Sequence, residues 1–312
     1  VKLKFGIRIE LYQHSFEPVK DYVLAAERLG YDAVWANDHL LPIVGTIKKP
    51  VMECWTVLSA LAGITSSIRL GSLVLNNSFR HPQLVAKMGS TLDVVSRGRL
   101  ELGIGAGWFE MEHEMFGLQY RKHSERILML REAIKLIKLL WTKKSANFKG
   151  RYYSVKDAVC LPQPVQKPHP PFLVGGHSDR ILELVAEHAD KSNFLLIPSE
   201  RFAERASALK KKCERFGREY SKIGKSFFGE AMVVGSKREA EDQVKKRLKD
   251  RKLSVKQHRR YAERCIIGTS GSCIERIVEY KKAGAEEFML VFPGLDRKQI
   301  QIFADSVISC IK

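Results

Sequence analysis

The sequence predicts a single-domain (β/α)8 barrel, and three observations carry that prediction. Strand-like and helix-like patterns alternate along all 312 residues. Composition does not shift halfway, as it would at a domain boundary. The unusual glycine and polar groups fall just after predicted strands, on what would be one rim of a barrel. A doubly wound sheet is the alternative.

The first strand pattern is Leu3–Ile9, followed by an amphipathic helix over Val19–Leu29 that Gly30 closes as a C-cap residue. Asp32–Ala36 reads as the second strand and Met52–Ile64 as its helix. Arg69–Leu75 is the third strand; Pro82–Val95 follows as helix, with proline in its first turn. Arg99–Ile104 is the fourth strand. The helix after it, His123–Trp141, places Ile127, Leu130, Ile134, Ile137 and Trp141 on one face. Phe148–Val155 reads as a short extra strand, and Pro162–Pro171, with five of the eleven prolines, as an extended connector. Strands five to eight are predicted at Phe172–Val174, Asn193–Ile197, Phe227–Val234 and Glu287–Phe292. Their helices fall at Arg180–His188, Glu200–Phe216, Ser270–Ala283 and Arg297–Ile311.

Hydrophobic residues make up 45% of the chain, enough for a large core. The N-terminus enters a strand pattern at once, which reads as no signal peptide. The longest uncharged run, Cys54–Ile68, is too short and too rich in Ser, Thr and Gly to span a bilayer. Six scattered cysteines form no C-x-x-C pair and no zinc spacing, which predicts reduced thiols, a cytoplasmic setting and no metal site. The net charge of +18 raises nucleic acid as a partner, yet the excess is concentrated. Residues 236–264 hold twelve Lys or Arg against five Asp or Glu. That stretch has few aromatics for base stacking and no nucleic-acid motif, so it reads as a basic helical insertion between strands seven and eight.

The fourth strand runs into Gly103, Gly105 and Gly107 at alternate positions. This spacing predicts that a flat or anionic ligand approaches the main chain there. It is not a dinucleotide fingerprint: the sixth position of G-x-G-x-x-G is Trp108, and no acidic residue ends a strand some twenty residues on. Other rim groups are Asn37-Asp38-His39, Leu73–Asn77 and Gly175-Gly176-His177-Ser178. The last fits either an anion at a helix N-terminus or an ordinary capped turn. Histidine is the side chain suited to proton handling near neutrality, and Asp38 beside His39 is a candidate to set its tautomer. Glu53 reads as complementing a helix dipole, and Arg80 as an anion contact or a surface ion pair. Glu110, Glu112 and Glu114 read as a solvated helical face.

These residues carry a family resemblance. Asp38-His39, Glu53-Cys-Trp55, Arg69-Leu-Gly-Ser72, Arg80-His-Pro82, Ser96–Trp108, Phe148–Tyr153, Pro162–Pro171 and Gly175-Gly176 occur in order. Together they resemble the luciferase-like monooxygenase superfamily, in particular its coenzyme F420-dependent oxidoreductase branch. The resemblance covers residues 3–195 closely and 267–292 more loosely. It implies a TIM barrel holding a deazaflavin or flavin at its C-terminal mouth, with a cis non-proline peptide at Leu73–Val74 behind the ring. It also implies a cofactor-binding set of Leu73, Val74, Asn76, Gly105, Gly107, Trp108, Gly175, Gly176, His177 and Ser178, the last four at the phosphate. Asp38 and His39 would face the ring, His39 handling a proton as hydride moves to or from C5.

One departure stands out. Some deazaflavin dehydrogenases of this superfamily carry Glu where this chain has Trp108, so their alcohol and sugar-phosphate substrates do not carry over. The implied activity is hydride transfer between F420 and a small organic molecule. The alternatives are an FMN-dependent two-component monooxygenase and a non-catalytic flavin- or polyanion-binding barrel. Similar proteins often form homodimers, which sets that expectation here.

Overall fold

The computed structural model describes residues 2–12, 14–43, 45–250 and 261–311. Its framework is a closed barrel of eight parallel strands: β1 (Lys4–Ile9), β2 (Ala33–Ala36), β3 (Arg69–Ser72), β5 (Leu100–Gly105), β8 (Phe172–Gly175), β9 (Lys191–Leu195), β10 (Gly224–Val233) and β12 (Glu287–Val291). Each pairs with the next, and β12 returns to β1 with Lys4 opposite Glu287. Around it lie α1 (Phe16–Arg28), α2 (Cys54–Ile64), α3 (Pro82–Val95), α5 (His123–Thr142), α6 (Asp179–His188), α7 (Ser199–Arg215), α9 (Ser270–Lys282) and α10 (Arg297–Ser306).

The predicted eightfold alternation is therefore present, with four local differences. The third strand is broken: after Ser72 the Leu73–Val74 peptide is cis, and the chain resumes pairing with β5 as β4 (Leu75–Asn76). Residues 148–155, predicted as one strand, are an antiparallel hairpin of β6 (Ala146–Lys149) and β7 (Ser154–Ala158). Gly150–Tyr153 make its turn, and Glu132 of α5 accepts the amides of Arg151, Tyr152 and Tyr153. The seventh strand starts earlier than predicted, and its end pairs with an unforeseen short strand, β11 (Ile266–Gly268). Finally, α10 stops at Ser306 instead of running to Ile311. Of the basic segment, α8 (Lys237–Asp250) is helical as expected, while residues 251–260 lie outside the described residues. No helix among the described residues is long and apolar enough to cross a membrane.

Two layers of packing position the site. Outside the barrel, the predicted face of α5 is buried against α3 and the strands, with Trp141 set over Gly89. Inside, Trp35 fills the barrel; Gly6 of β1 and Gly71 of β3 supply the space, since a Cβ on either would strike its indole. Below Trp35, Lys191 bridges Glu101 and Glu287, and Arg69 also holds Glu101. Burial alone would lower the Lys191 ammonium, but its two carboxylate partners outweigh that and hold it charged. The barrel is thus plugged from its floor to its middle, and open space remains only toward the C-terminal ends.

The glycines of β5 face this plug in an unexpected way. A Cβ on Gly103 would overlap the Ser72 carbonyl oxygen, one on Gly105 would lie 2.7 Å from Val74, and one on Gly107 would overlap the Asn76 side chain. The spacing therefore makes room for the protein's own β3–β4 bulge, a use that the sequence reading of Gly103, Gly105 and Gly107 did not foresee. Gly103→Ala sets a side chain against a backbone carbonyl that has nowhere to retreat. It is expected to cost about 3 kcal/mol, or roughly a 6 °C fall in thermal midpoint. Calorimetry showing an unchanged midpoint would mean that the bulge can shift.

Candidate active site at the barrel mouth

The C-terminal mouth holds a cavity of about 1120 Å3. It is lined by every residue singled out from the sequence as catalytic or cofactor-binding: Asp38, His39, Leu73, Val74, Asn76, Gly105, Gly107, Trp108, Gly175, Gly176, His177 and Ser178. The strand ends that bring them together are those of β2, β4, β5 and β8.

Proximity does not give them equal roles. The Asp38 carboxylate accepts both ends of the Arg80 guanidinium, at 2.8 and 2.9 Å, and the Asn76 amide at 2.9 Å. Its side chain is buried, and burial pushes the carboxyl up against the opposing pull of Arg80. Arg80 also reaches Glu53, which caps α2 through the amides of Trp55 and Thr56. Arg80 is thus more than a surface ion pair: it is the largely covered centre of a Glu53–Arg80–Asp38 chain that ties α2, α3 and the bulge together. Removing one member of such a chain leaves an uncompensated charge.

The partner of His39 is Glu112, not Asp38. Both Glu112 carboxylate oxygens lie 3.1 Å from His39 Nδ1, and one of them accepts the amides of Leu40 (2.6 Å) and Leu41 (3.0 Å). Glu112 sits on α4 (Glu110–Met115) and is 1% exposed, although its neighbours Glu110 and Glu114 are solvated as predicted. The sequence pattern E-x-E-x-E makes all three look alike. Only the buried His113 beside Glu112 hints that one side of this helix turns inward.

A carboxylate accepts and does not donate, so His39 Nδ1 carries the proton and Nε2 is left as an acceptor. His39 also presents its ring edge-on to Trp108 and Phe109.

Across the cavity, Gly176 turns at φ 112°, a conformation that L side chains rarely adopt, and delivers the chain into α6. Ser178 caps that helix on Ile181. His177 Nδ1 is buried with no hydrogen-bond partner among the described residues. Burial holds this imidazole below its usual value, and Arg201, Arg205 and Arg264 push it further down. These arginines, missed in the sequence, lie near the turn, Arg201 paired with Glu204 and Arg205 with Asp179. An orphaned nitrogen and a helix N-terminus with arginines nearby suit a phosphate-bearing group. Cavities that enclose one drug-sized ligand measure about 300–1,000 Å3, so this one has room for a planar cofactor and a second molecule.

The Glu112–His39 geometry generates a prediction. In Glu112→Gln one of the two oxygens facing His39 Nδ1 becomes an NH2 donor, and the charge that favours Nδ1–H is lost. Long-range proton–nitrogen NMR of the His39 ring is expected to show the Nδ1–H tautomer dominant by about tenfold in the native protein, near the worth of a charge-assisted hydrogen bond. That preference is expected to collapse in the variant. An unchanged tautomer ratio would remove Glu112 as the positioning residue.

Known proteins resemble this chain in sequence and in fold. The family model described as luciferase-like monooxygenase matches residues 2–287. Among curated relatives, an F420-dependent glucose-6-phosphate dehydrogenase of Amycolatopsis mediterranei is 35% identical over 176 residues, 56% of this chain and 52% of that protein. Pyrimidine monooxygenase RutA of Variovorax paradoxus is 32% identical over 194 residues, 57% of this chain and 49% of that protein. The chain spans about half the length of the curated relatives it matches. Among solved structures, an F420-dependent secondary alcohol dehydrogenase in complex with an F420–acetone adduct superposes with a TM-score of 0.88. Its identity is 20%, and both chains are covered in full, a likeness of fold. With most of its length matched and a barrel whose mouth gathers the expected groups, this chain belongs to the luciferase-like monooxygenase family.

Proposed function

We propose that this protein is an F420-dependent oxidoreductase, working as one domain in which residues 236–264 form a basic insertion. The observation that carries the reading is the convergence, in one cavity, of the Gly175–Ser178 turn, the Leu73–Val74 bulge and the Glu112-oriented His39. Relatives named as F420-dependent dehydrogenases support the choice of cofactor.

The Gly175–Ser178 turn would hold the phosphate, with Val74 and the glycine-backed strand end of β5 behind the ring. When bound, F420 supplies two-electron hydride chemistry at C5. His39 would handle the accompanying proton through Nε2, the ring nitrogen that Glu112 leaves bare. Asp38 would act at one remove, holding Asn76 and the bulge in register through its backbone contact.

The FMN monooxygenase reading rests on the pyrimidine monooxygenase relative. Anaerobic fluorescence titration separates the two: F420 is expected to bind at least about tenfold tighter than FMN, a difference of about 1.4 kcal/mol. FMN binding tighter would move the protein to the monooxygenase chemistry. His39→Ala is expected to leave F420 affinity nearly intact and to lower any turnover found in a redox screen by roughly 10²–10⁴-fold. Full turnover in that variant would sink the proton-handling role.

We further propose a homodimer through α2, α3 and residues 159–165. Helix α2 has no charged residue, and α3 has only Lys87 and the buried Asp93. Ile64, Leu84, Val94, Val95, Leu161 and Val165 are exposed there. On a chain of net charge +18, a face with so few charges lets two copies meet with little repulsion. Sedimentation is expected to give a dimer that Val95→Glu converts to monomer; a monomeric native protein would exclude it.

A further inference from the structure

We infer that Trp108 is the substrate platform, and that the substrate is a small molecule bearing an apolar ring, not a phosphorylated sugar. The inference rests on the redox reading of the cavity and adds its substrate class. Trp108 follows the last glycine of the β5 end and lines the cavity, yet its side chain is 62% exposed. The other three tryptophans are buried. One face of its indole is stacked by Phe109, with ring centroids 5.3 Å apart and 22° between planes, and the edge-on His39 ring lies 5.8 Å away. Tyr120 donates to the Trp108 carbonyl at 3.0 Å and fixes the backbone. The indole is therefore packed against Phe109 yet stays largely exposed beside the proton-handling histidine. An indole this exposed has a large apolar area to bury, and ring-on-ring contact is one arrangement that buries it.

The surroundings favour the same class. Leu195, exposed at the end of β9, and Ile43 line the same cavity. Met111, Met115 and Phe116 extend the exposed apolar surface outward along α4. Of the cations lining the cavity, Arg8 pairs with Glu10 and Arg247 with Glu230, so an anion reaching either competes with a carboxylate. Lys49 and Lys246 also line the cavity and suit an anionic substituent on the ring.

The test uses naphthalene-2-sulfonate as the ring probe and glucose 6-phosphate as the comparator, each titrated calorimetrically into the full chain. Naphthalene-2-sulfonate is expected to bind more tightly and to slow oxidation of Trp108 by N-bromosuccinimide, read by mass spectrometry. Trp108→Ala is expected to weaken it about tenfold, and Trp108→Phe to retain most of the affinity. Because the side chain is exposed, neither substitution disturbs the core. Equal naphthalene-2-sulfonate affinity in native protein and Trp108→Ala, or protection of Trp108 by glucose 6-phosphate, would overturn the inference. Fluorescence titration of F420 into the same proteins keeps the two readings apart. Failure of F420 to bind the native protein would remove the cofactor assignment while leaving the ring-probe result standing. F420 binding without ring-probe binding would remove only the substrate class.

Discussion

The contact on which the mouth of this barrel depends is that between the β3–β4 bulge and the glycines of its neighbours. The Ser72 carbonyl lies where a Cβ of Gly103 would be, and Val74 lies against both Gly105 and Gly175. Because protein interiors pack to crystal-like density, a backbone displaced sideways needs missing side chains next to it. Three consecutive staves of the barrel are thereby coupled. The bulge aims Val74 into the cavity, Asn76 lies over Gly107, and the fifth barrel strand ends beside them in the Gly175–Ser178 turn. Wall and phosphate turn are thus held by one packing arrangement rather than assembled separately.

A chain of charge secures that arrangement from outside. Asp38 holds the Asn76 amide, Arg80 holds Asp38, and Glu53 joins Arg80 to the start of α2. Burial by itself would lower the Arg80 guanidinium, and its hydrogen bonds to Asp38 overcome that, so the guanidinium stays charged. The adjacent residues Asp38 and His39 therefore point to different partners. Asp38 fixes the wall, while His39 is handed to Glu112 on an element more than seventy positions later. Alternation along an extended segment explains the division, since successive side chains leave it in opposite directions.

This also defines how much was legible in the sequence. Strand ends were readable because short, largely apolar stretches stop at Asn37, Gly105 and Gly175, and a barrel places such ends on one rim. The buried face of α5 was readable from its periodicity. The purpose of the alternate glycines was not: removing a side chain leaves the same pattern whether a ligand or another strand occupies the space. Glu112 was hidden for a related reason. In E-x-E-x-E the helical repeat places neighbouring acids at different angles, but which one faces inward depends on where α4 docks. The division of the 148–155 region was obscured by Gly150–Tyr153, a tight turn closed by Glu132 from a distant helix. Arg201, Arg205 and Arg264 were hidden in an overall excess of basic residues.

That excess has a structure of its own. Where charge meets the cavity it is mostly neutralised in pairs, as with Arg8 and Glu10 or Arg247 and Glu230. Around the Gly175–Ser178 turn, Arg201, Arg205 and Arg264 add to burial in disfavouring a proton on His177, and Arg201 and Arg205 are themselves paired with Glu204 and Asp179. The turn also opens a helix, while His39 and Trp108 stand at the apolar β5 end. The turn therefore suits the charged part of a ligand and the indole its apolar part. The two ends of the cavity therefore select for different chemistry, charge at β8 and apolar surface at β5, and His39 stands on the second side. Any molecule that exchanges a proton with His39 must satisfy the apolar end first.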